Sequence, residues 1–272
     1  MRKEIKHLVF TSLFALLLLM VAGAFEGVLQ TVIYILAFLA PLFVCLYLYF
    51  GGKNGEKIAS LSFLKISKSG LIIAASMLPL SVLVVLLSSL GWSSLLGLFG
   101  LSKETVIEEA PLLALCLHAL LPALLEEGVF RYLPLRLLGR RAPRSTVLAS
   151  AMLFALLHHS IYSIPHAFVA GVVFMTVDIM TDSVIPSLVI HFVNNGLALL
   201  AMGALGVTVR LDNLVIALVL LSLLSVIPIF IKQKEIAAGV TLAFSRGEGR
   251  APLKDVLFFA VPSILIAILE IW

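Results

Sequence analysis

The sequence predicts an all-α protein, a polytopic transmembrane helix bundle of eight or nine spans with a cavity within its core helices. Hydrophobic residues make up 61% of the 272 residues and charged residues only 12%, whereas soluble domains average about 45–50% apolar and about 25% charged residues. The mean hydropathy of +1.16 agrees with this class. Apolar runs recur along the chain with short charged segments between them. We expect residues 1–272 to form a single integral membrane domain.

The predicted spans are apolar runs long enough to cross a hydrocarbon layer about 30 Å thick. They lie near residues 8–25, 28–50, 70–90, 107–137, 145–160, 164–181, 185–206, 212–231 and 255–272. The first run is preceded by basic residues and followed by Ala22-Gly23-Ala24, as in a secretory signal, but its length favours a retained span. The last run contains Pro262 and Glu270, so a bundle of eight spans is the alternative.

The distribution of basic residues predicts the orientation, because Lys and Arg collect in the cytoplasmic loops of membrane proteins. If the N-terminus is cytoplasmic, the cytoplasmic loops carry Lys53, Lys57, Lys65, Lys68, Arg136, Arg140, Arg141, Arg144, Lys232, Lys234, Arg246, Arg250 and Lys254. The outer loops carry Glu26, Lys103, Glu104, Glu108, Glu109, Arg210 and Asp212. We therefore expect a multi-pass protein of the cell membrane with a cytoplasmic N-terminus. Basic residues confined to such short loops do not predict nucleic-acid binding.

Three ionisable residues, Glu126, Glu127 and Arg131, directly follow the apolar run 112–125. An ionisable side chain at the centre of a bilayer costs about 2.5–3.5 kcal/mol on insertion scales, which makes a functional site the first hypothesis. Glu127 and Arg131 have the four-residue spacing of a helical ion pair. Glu126 lies about 140° around the helix from Arg131 and keeps a free carboxylate. The alternative is a solvated helix end.

Two later spans carry further polar groups at one-turn spacing, Phe154 with His158 and His191 with Asn195. A single His on an apolar face is usually a packing residue. Polar groups on three separate helices are unfavourable in lipid unless they share a cavity. We expect such a cavity within a motif-bearing core at about residues 105–206.

The four polar residues match the requirements of amide hydrolysis by water. Glu126 and His158 can take a proton from water, and His191 and Asn195 can donate hydrogen bonds to the oxyanion of the tetrahedral intermediate. No His-Glu-x-x-His motif of the helical zinc type occurs. Asp178 and Asp182 lie one turn apart near a predicted cytoplasmic edge, where we expect them to be solvated.

Smaller features surround the predicted site. Pro122 removes a backbone donor four residues before Glu126, which predicts a bend. Trp92 follows the third predicted span and is placed like an interfacial anchor. Both cysteines, Cys45 and Cys116, fall in apolar runs and are predicted to be packing residues.

The motifs Glu126-Glu127-x-x-x-Arg131, Phe154-x-x-x-His158 and His191-x-x-x-Asn195, in this order on successive helices, resemble the CAAX protease and bacteriocin-processing family, also called Abi. This family includes the Ras-converting prenyl-protein endopeptidases. The resemblance covers roughly residues 105–200. It implies an intramembrane endopeptidase with a cavity open to the cytoplasmic side and to lipid.

The resemblance also implies roles for the residues. Glu126 and His158 would activate water, and His191 and Asn195 would form the oxyanion site. Glu127, Arg131 and Phe154 would support them. The glutamate-type mechanism of the prenyl-protease branch uses no metal or other cofactor, whereas a zinc ion held by Glu126, His158 and His191 is the alternative.

The substrate implied by the prenyl-protease branch is a C-terminal Cys-a-a-X peptide whose lipidated cysteine enters from the bilayer. Other branches process or give immunity to bacteriocins, and the sequence does not separate these branches. The expected partners are thus the lipid bilayer and a prenylated or other membrane-associated peptide. Two other functions use the same residues: a proton-coupled transporter, disfavoured by the absence of an internal repeat, and a non-catalytic immunity protein.

Overall fold

The computed structural model describes residues 2–50, 64–102, 107, 109–138, 142–158, 160–207 and 209–246. Within these ranges the chain forms nine helices and no strand, which confirms the predicted all-α class. The helices are α1 (Arg2–Ala22), α2 (Gly27–Phe50), α3 (Lys68–Leu98), α4 (Pro111–Leu137), α5 (Pro143–Leu157), α6 (Ile164–Thr181), α7 (Ile185–Ala201), α8 (Leu211–Ile231) and α9 (Gln233–Phe244).

Local sequence signals account for several helix ends. Ser67 precedes α3, and its hydroxyl accepts a hydrogen bond from the Gly70 backbone N–H at 2.9 Å, as an N-cap residue does. Helices α5, α6 and α7 each have a proline in their first two positions, where a missing N–H leaves no intrahelical bond unmade. Helix α6 ends at Asp182 in the left-handed conformation, with φ of 55°.

Five segments are long and apolar enough to cross a membrane: Gly27–Val44, Lys68–Leu98, Pro111–Leu137, Ile164–Thr181 and Leu211–Ile231. The apolar parts of α1, α5 and α7 are shorter. Fifteen residues in α5 give a length of about 22 Å, less than a hydrocarbon core of about 30 Å. The chain is an integral membrane protein with several spans, and each of the first eight predicted spans coincides with a helix. The exact number of crossings stays a prediction, since the segment 255–272 lies outside the described residues.

Alternating helices bring their termini to two opposite ends of the bundle. The end that we call the Pro111 end holds the last turns of α1, α3, α5 and α7 and the first turns of α2, α4, α6 and α8. There the Trp92 indole N–H donates to the Ile161 carbonyl oxygen at 2.7 Å. A Cβ at Gly206 would lie 3.6 Å from Cγ of Pro111, which joins the end of α7 to the start of α4.

The opposite end, the Lys68 end, holds the first turn of α3, the last turns of α4 and α6, and helix α9. A Cβ at Gly70 would lie 3.4 Å from the Thr181 carbonyl oxygen. The Arg144 backbone N–H donates to the Ser245 carbonyl oxygen at 3.2 Å. These contacts bring the basic segments between helices to the same end of the bundle.

One boundary and one sequence interpretation near these ends differ from the structure. Helix α3 continues through Trp92 to Leu98, beyond the predicted end of the third span near residue 90, and the interfacial position of Trp92 stays a prediction. Asp178 is fully buried, whereas we predicted a solvated carboxyl group. It is buried because α7 starts a few residues after α6 ends and packs back on it, so that Asp178 Oδ1 accepts the Ser187 backbone N–H at 3.0 Å.

Helix α4 contains two π-helical segments, Cys116–Leu120 and Gly128–Tyr132. Each directly precedes a Leu-Pro pair, at Pro122 and Pro134. A proline inside a helix cannot donate to the carbonyl four residues earlier, and a π-bulge is one way to absorb that loss. The predicted distortion beside Glu126 is therefore a pair of π-bulges on either side of the two glutamates, a type of distortion that is frequent at functional sites.

Gly171 allows α5 and α6 to pack in close contact. A Cβ at this position would lie 2.7 Å from the Ala151 Cα. We expect Gly171→Ala to separate α5 from α6 and to destabilise the fold by about 1–3 kcal/mol, the usual effect of overpacking. Thermal unfolding in detergent measures this change. Gly91→Ala is the matched control, because a Cβ there has no described atom within 4 Å; an equal shift in both variants would contradict the close-packing argument.

Candidate active site

Glu126 and Glu127 are neighbours in sequence, but their side chains point to different surroundings. Both lie in the α-helical segment Leu121–Glu127 between the two π-helical segments. Glu126 is 8% exposed and Glu127 is 2% exposed. The first carboxylate reaches a cavity and the second reaches the interior of the bundle, as the angular separation along the helix predicted.

Glu127 and Arg131 form the predicted ion pair. Arg131 Nε lies 3.2 Å from Glu127 Oε2, and the arginine side chain is fully buried. Its guanidinium carbon lies 4.5 Å from the centre of the Phe154 ring and 5.3 Å from that of Phe174. Aromatic faces attract a cation, and the attraction is stronger when the cation is desolvated. The buried positive charge is thus held by one carboxylate and two rings.

Ser150 of α5 connects this ion pair to the distorted helix. Pro134 has no N–H to donate to the Phe130 carbonyl oxygen four residues earlier, and the Ser150 hydroxyl donates to that oxygen instead. Arg131 Nη1 lies 3.5 Å from the same hydroxyl oxygen. One serine therefore satisfies the carbonyl that the proline leaves unpaired and holds α5 against the guanidinium group.

His191 of α7 lies between the two glutamates. Its Nδ1 lies 2.8 Å from Glu127 Oε1, and its Nε2 lies 3.9 Å from Glu126 Oε2. A carboxylate is an acceptor, so Nδ1 carries the proton that it shares with Glu127 and Nε2 is directed toward Glu126. The ring is also fixed edge-on to Phe154, with centroids 5.7 Å apart and planes at 88°.

His158, at the end of α5, is oriented by its own helix. Its Nδ1 lies 2.9 Å from the Phe154 carbonyl oxygen. Because a carbonyl oxygen only accepts hydrogen bonds, Nδ1 is the protonated nitrogen and Nε2 of the neutral ring carries a lone pair. The His158 and Phe154 rings meet edge-on with centroids 4.9 Å apart. The second motif thus presents a proton-accepting nitrogen to its surroundings.

A cavity of about 920 Å³ brings Glu126 and His158 together. The size is within the range of small-molecule and cofactor sites, about 300–1,000 Å³. Helices α1, α2, α4 and α5 contribute its walls, with lining residues that include Leu19, Val28, Gln30, Thr31, Phe38, Leu113, His118, Pro122 and Leu157. The predicted shared cavity is found for only two of the four polar residues: Glu126 and His158 line it, whereas neither His191 nor Asn195 is among its lining residues.

Asn195 is the predicted site residue that the structure does not connect to the others. It lies one turn after His191 on α7 and is half-buried. Its amide makes no hydrogen bond with the described residues. The amide is consequently available to a bound molecule, which is compatible with a role as a donor but does not test it.

Among the described residues, no group of three or more His, Cys, Asp or Glu side chains has an arrangement suited to a metal ion. The zinc alternative, with Glu126, His158 and His191 as ligands, stays a prediction. Nδ1 of His191 and Nδ1 of His158 each have a hydrogen-bond partner in the protein, so only Nε2 of each ring could bind a metal ion. Metal dependence is decided by the chelator experiment described below.

Tyr34 of α2 is a site residue that sequence reasoning missed. Its hydroxyl donates to Glu126 Oε1 at 3.0 Å across 92 residues of sequence, and it lines the cavity. A polar side chain at the middle of an apolar span was the available signal, but a tyrosine in a membrane helix is a weak one. The structure thus adds a residue that orients the carboxylate of Glu126.

We expect Tyr34→Phe to reduce hydrolysis about tenfold with little change in stability. A hydrogen bond to a charged group contributes about 1.5–3 kcal/mol, and its loss leaves the Glu126 carboxylate less well oriented. The fall should appear in kcat more than in KM, measured by steady-state peptide cleavage. Tyr47→Phe, at a 74% exposed position on the same helix, is the control, and an equal fall in both variants would contradict the assignment.

A protein-family model matches the segment of the chain that carries all three motifs. Residues 108–197 match the family model described as Type II CAAX prenyl endopeptidase Rce1-like. No curated protein and no solved structure matches the chain. The matched segment begins just before α4 and includes Glu126, His158, His191 and Asn195. The resemblance seen in the motifs is therefore confirmed over residues 108–197, which are similar to the Rce1-like type II CAAX prenyl endopeptidase family.

Proposed function

We propose that this protein is an intramembrane endopeptidase in which Glu126 and His158 activate the water that attacks a peptide carbonyl. The observation that carries the proposal is the unequal environment of the two glutamates. Glu127 is bonded to Arg131 and His191, whereas Glu126 faces the cavity that also contains His158. A protein that needed only buried charge pairs would not keep a second carboxylate beside an open cavity.

Water placed between Glu126 and His158 would lose a proton to one of them as its oxygen attacks the carbonyl carbon. Each has a free acceptor: the Oε2 oxygen of Glu126, since Tyr34 occupies Oε1, and the Nε2 atom of His158. The same groups then return the proton to the leaving amine, so that one water is added across the broken amide bond. Positioned proton transfer of this kind contributes about 10²–10⁴-fold.

His191 and Asn195 are the proposed donors to the oxyanion. Because Nδ1 of His191 is shared with Glu127, its Nε2 donates to the oxyanion when both ring nitrogens carry a proton. Asn195 would add an N–H one turn away. Donors fixed in place before the reaction stabilise the developing charge without reorganisation.

The proposed substrates are CAAX-type prenylated peptides or other membrane-associated peptides, and no metal takes part. Glu127, Arg131 and Phe154 are proposed to position the reacting groups, because their contacts run through His191 and the end of α5. The exposed apolar side chains of the helices, such as Leu113 and Leu124 of α4, are suited to lipid and to a lipid-bound substrate.

Cleavage of a fluorogenic farnesylated Cys-a-a-X peptide by the purified protein in detergent tests this proposal. We expect hydrolysis by the parent protein that persists in the presence of a strong chelator. Loss of activity with the chelator, and its recovery on adding zinc, would contradict the metal-free mechanism. No cleavage of either this peptide or an unprenylated apolar peptide by folded protein would contradict the endopeptidase itself.

A further inference from the structure

Helix α7, which carries His191, begins without a capping side chain of its own. Its N-cap residue is Val184, whose side chain has no polar atom to accept a hydrogen bond from the first turn. The first N–H groups of a helix have no partner within that helix. Because Val184, Pro186 and Ser187 are buried, these groups need partners from elsewhere in the protein.

Other residues supply those partners. The Ile185 N–H donates to Ser183 Oγ at 3.2 Å, and Pro186 has no N–H to satisfy. The Ser187 N–H donates to Asp178 Oδ1 at 3.0 Å, which is the type of bond that an N-cap carboxylate accepts. Asp178 lies on α6, so a neighbouring helix provides the cap of α7.

The carboxyl group of Asp178 lies in the interior of the bundle and is fully buried. Its Oδ2 atom has no hydrogen-bond partner among the described residues. The Ser187 side chain lies within interaction range of the carboxyl groups of both Asp178 and Glu127. A buried carboxyl group is costly unless hydrogen bonds offset its desolvation, which favours a specific role for the Oδ1 contact.

Ser187 shares one face of α7 with the two proposed oxyanion donors. His191 lies four residues later and Asn195 eight residues later, so the three side chains follow one another at one-turn spacing. Asp178 holds the first of these positions, and Glu127 holds the second, with its Oε1 at 2.8 Å from His191 Nδ1. Helix α7 is therefore held at two successive turns, by α6 and then by α4.

We propose that Asp178 is a positioning residue that fixes the rotation of α7 and thereby holds His191 against Glu127. The inference rests on the proposed function, in which His191 stabilises the oxyanion. Asp178 lies within the segment matched to the family but belongs to none of the three motifs, and it is not among the residues that line the cavity. Its acceptor oxygen performs the role, so an amide at the same position can replace the carboxyl group.

Two substitutions separate the acceptor oxygen of Asp178 from its charge. Asp178→Asn keeps an oxygen that accepts the Ser187 N–H, whereas Asp178→Ala removes it. In steady-state cleavage of the farnesylated peptide in detergent, we expect Asp178→Ala to reduce kcat about tenfold or more, because a misplacement of about 1 Å can cost about 10²-fold. KM should change by less than about threefold, since the oxyanion donors act on the transition state. Asp178→Asn should restore kcat to near the parent value.

Asp212→Ala is the matched control and should leave kcat unchanged. Asp212 Oδ1 also accepts a backbone N–H in the first turn of a helix, that of Asn213 in α8, at 2.9 Å, but this side chain is exposed. An equal fall in kcat for Asp178→Asn and Asp178→Ala would overturn the role of the acceptor oxygen. A change in KM alone would overturn the positioning of the oxyanion donors.

Thermal unfolding tests the same link without activity. Asp178→Ala should lower Tm by about 2–4 °C, as the loss of a helix cap does. The loss should be smaller in a His191→Ala background, because the two residues hold the same helix, whereas Asp212→Ala should have equal effects in both backgrounds. Fully additive losses for Asp178→Ala and His191→Ala would overturn the link between them.

If Asp178→Ala does not accumulate, Asp178→Ser replaces it in both experiments, because the shorter side chain carries its oxygen farther from the Ser187 N–H. The two experiments also distinguish this inference from the proposed function. A folded parent protein that cleaves no peptide, but shows the coupling between positions 178 and 191 in Tm, would contradict the peptidase and leave the positioning of His191 supported.

Discussion

Glu126→Gln is expected to reduce peptide hydrolysis by at least about 10²-fold, toward the upper limit of about 10⁴-fold for positioned proton transfer. Glutamine has nearly the same shape and can still accept the Tyr34 hydroxyl hydrogen bond, now at 3.0 Å from Oε1. It cannot take a proton from water. The fold should be retained, because the substitution removes one of two adjacent buried negative charges and leaves the Glu127–Arg131 pair intact.

The measurement is steady-state cleavage of the farnesylated peptide, with thermal unfolding of the same preparations. Glu235→Gln is the matched control: the chemical change is identical, and the side chain lies exposed on α9 in a surface pair with Lys232. Full activity of Glu126→Gln would show that another group accepts the proton. A comparable loss in Glu235→Gln would show that the assay responds to something other than the active site.

Arg131→Gln is expected to have the largest effect on stability, about 3–5 kcal/mol. Removing one partner of a buried ion pair leaves the other charge buried without compensation, and here Glu127 would keep the His191 ring at 2.8 Å but lose the guanidinium group. The substitution also removes the cation from the Phe154 and Phe174 rings. Thermal and denaturant unfolding in detergent measure the loss. Arg210→Gln is the control, since that arginine is 79% exposed in its pair with Asp212 and such a pair contributes about 0–1 kcal/mol.

A double substitution separates the ion pair from the other contacts of Arg131. If most of the loss comes from the uncompensated carboxylate, Glu127→Gln combined with Arg131→Gln should recover part of the stability of the single variant. Normal stability of Arg131→Gln together with lost hydrolysis would contradict the supporting role and would place the guanidinium group in the chemistry. Additive losses in the double variant would show that Arg131 acts through the aromatic rings and Ser150 instead.

Helical periodicity was enough to distinguish the two adjacent glutamates. Positions 127 and 131 face each other on any regular helix, and position 126 cannot join them. Arg131 lies in the π-helical segment Gly128–Tyr132, yet its Nε still reaches Glu127 Oε2 at 3.2 Å, so the predicted pairing holds despite the distortion. The roles of Phe154 and Arg131 as neighbours could not be predicted in the same way, because their contact joins two helices.

Local sequence patterns could not predict the contacts between site residues that lie on different helices. The bond between His191 and Glu127 joins residues 64 positions apart, and that between Tyr34 and Glu126 joins residues 92 apart. Asp178 is a second example. Its position near a helix end predicted a solvated carboxyl group, but α7 packs against the end of α6 and buries it. Which faces of two helices meet depends on packing over the whole bundle.

The sequence by itself determined that this is a helical membrane protein, which residues are ionisable at depth, and which of them share one face of a helix. Those properties follow from composition and from the fixed rotation per residue, which act within one segment. Only the tertiary structure decided that Tyr34 reaches Glu126, that His191 lies between two carboxylates, and that Glu126 and His158 line one cavity. These depend on how helices distant in the chain pack against each other, and that packing is decided by the sum of many side-chain contacts.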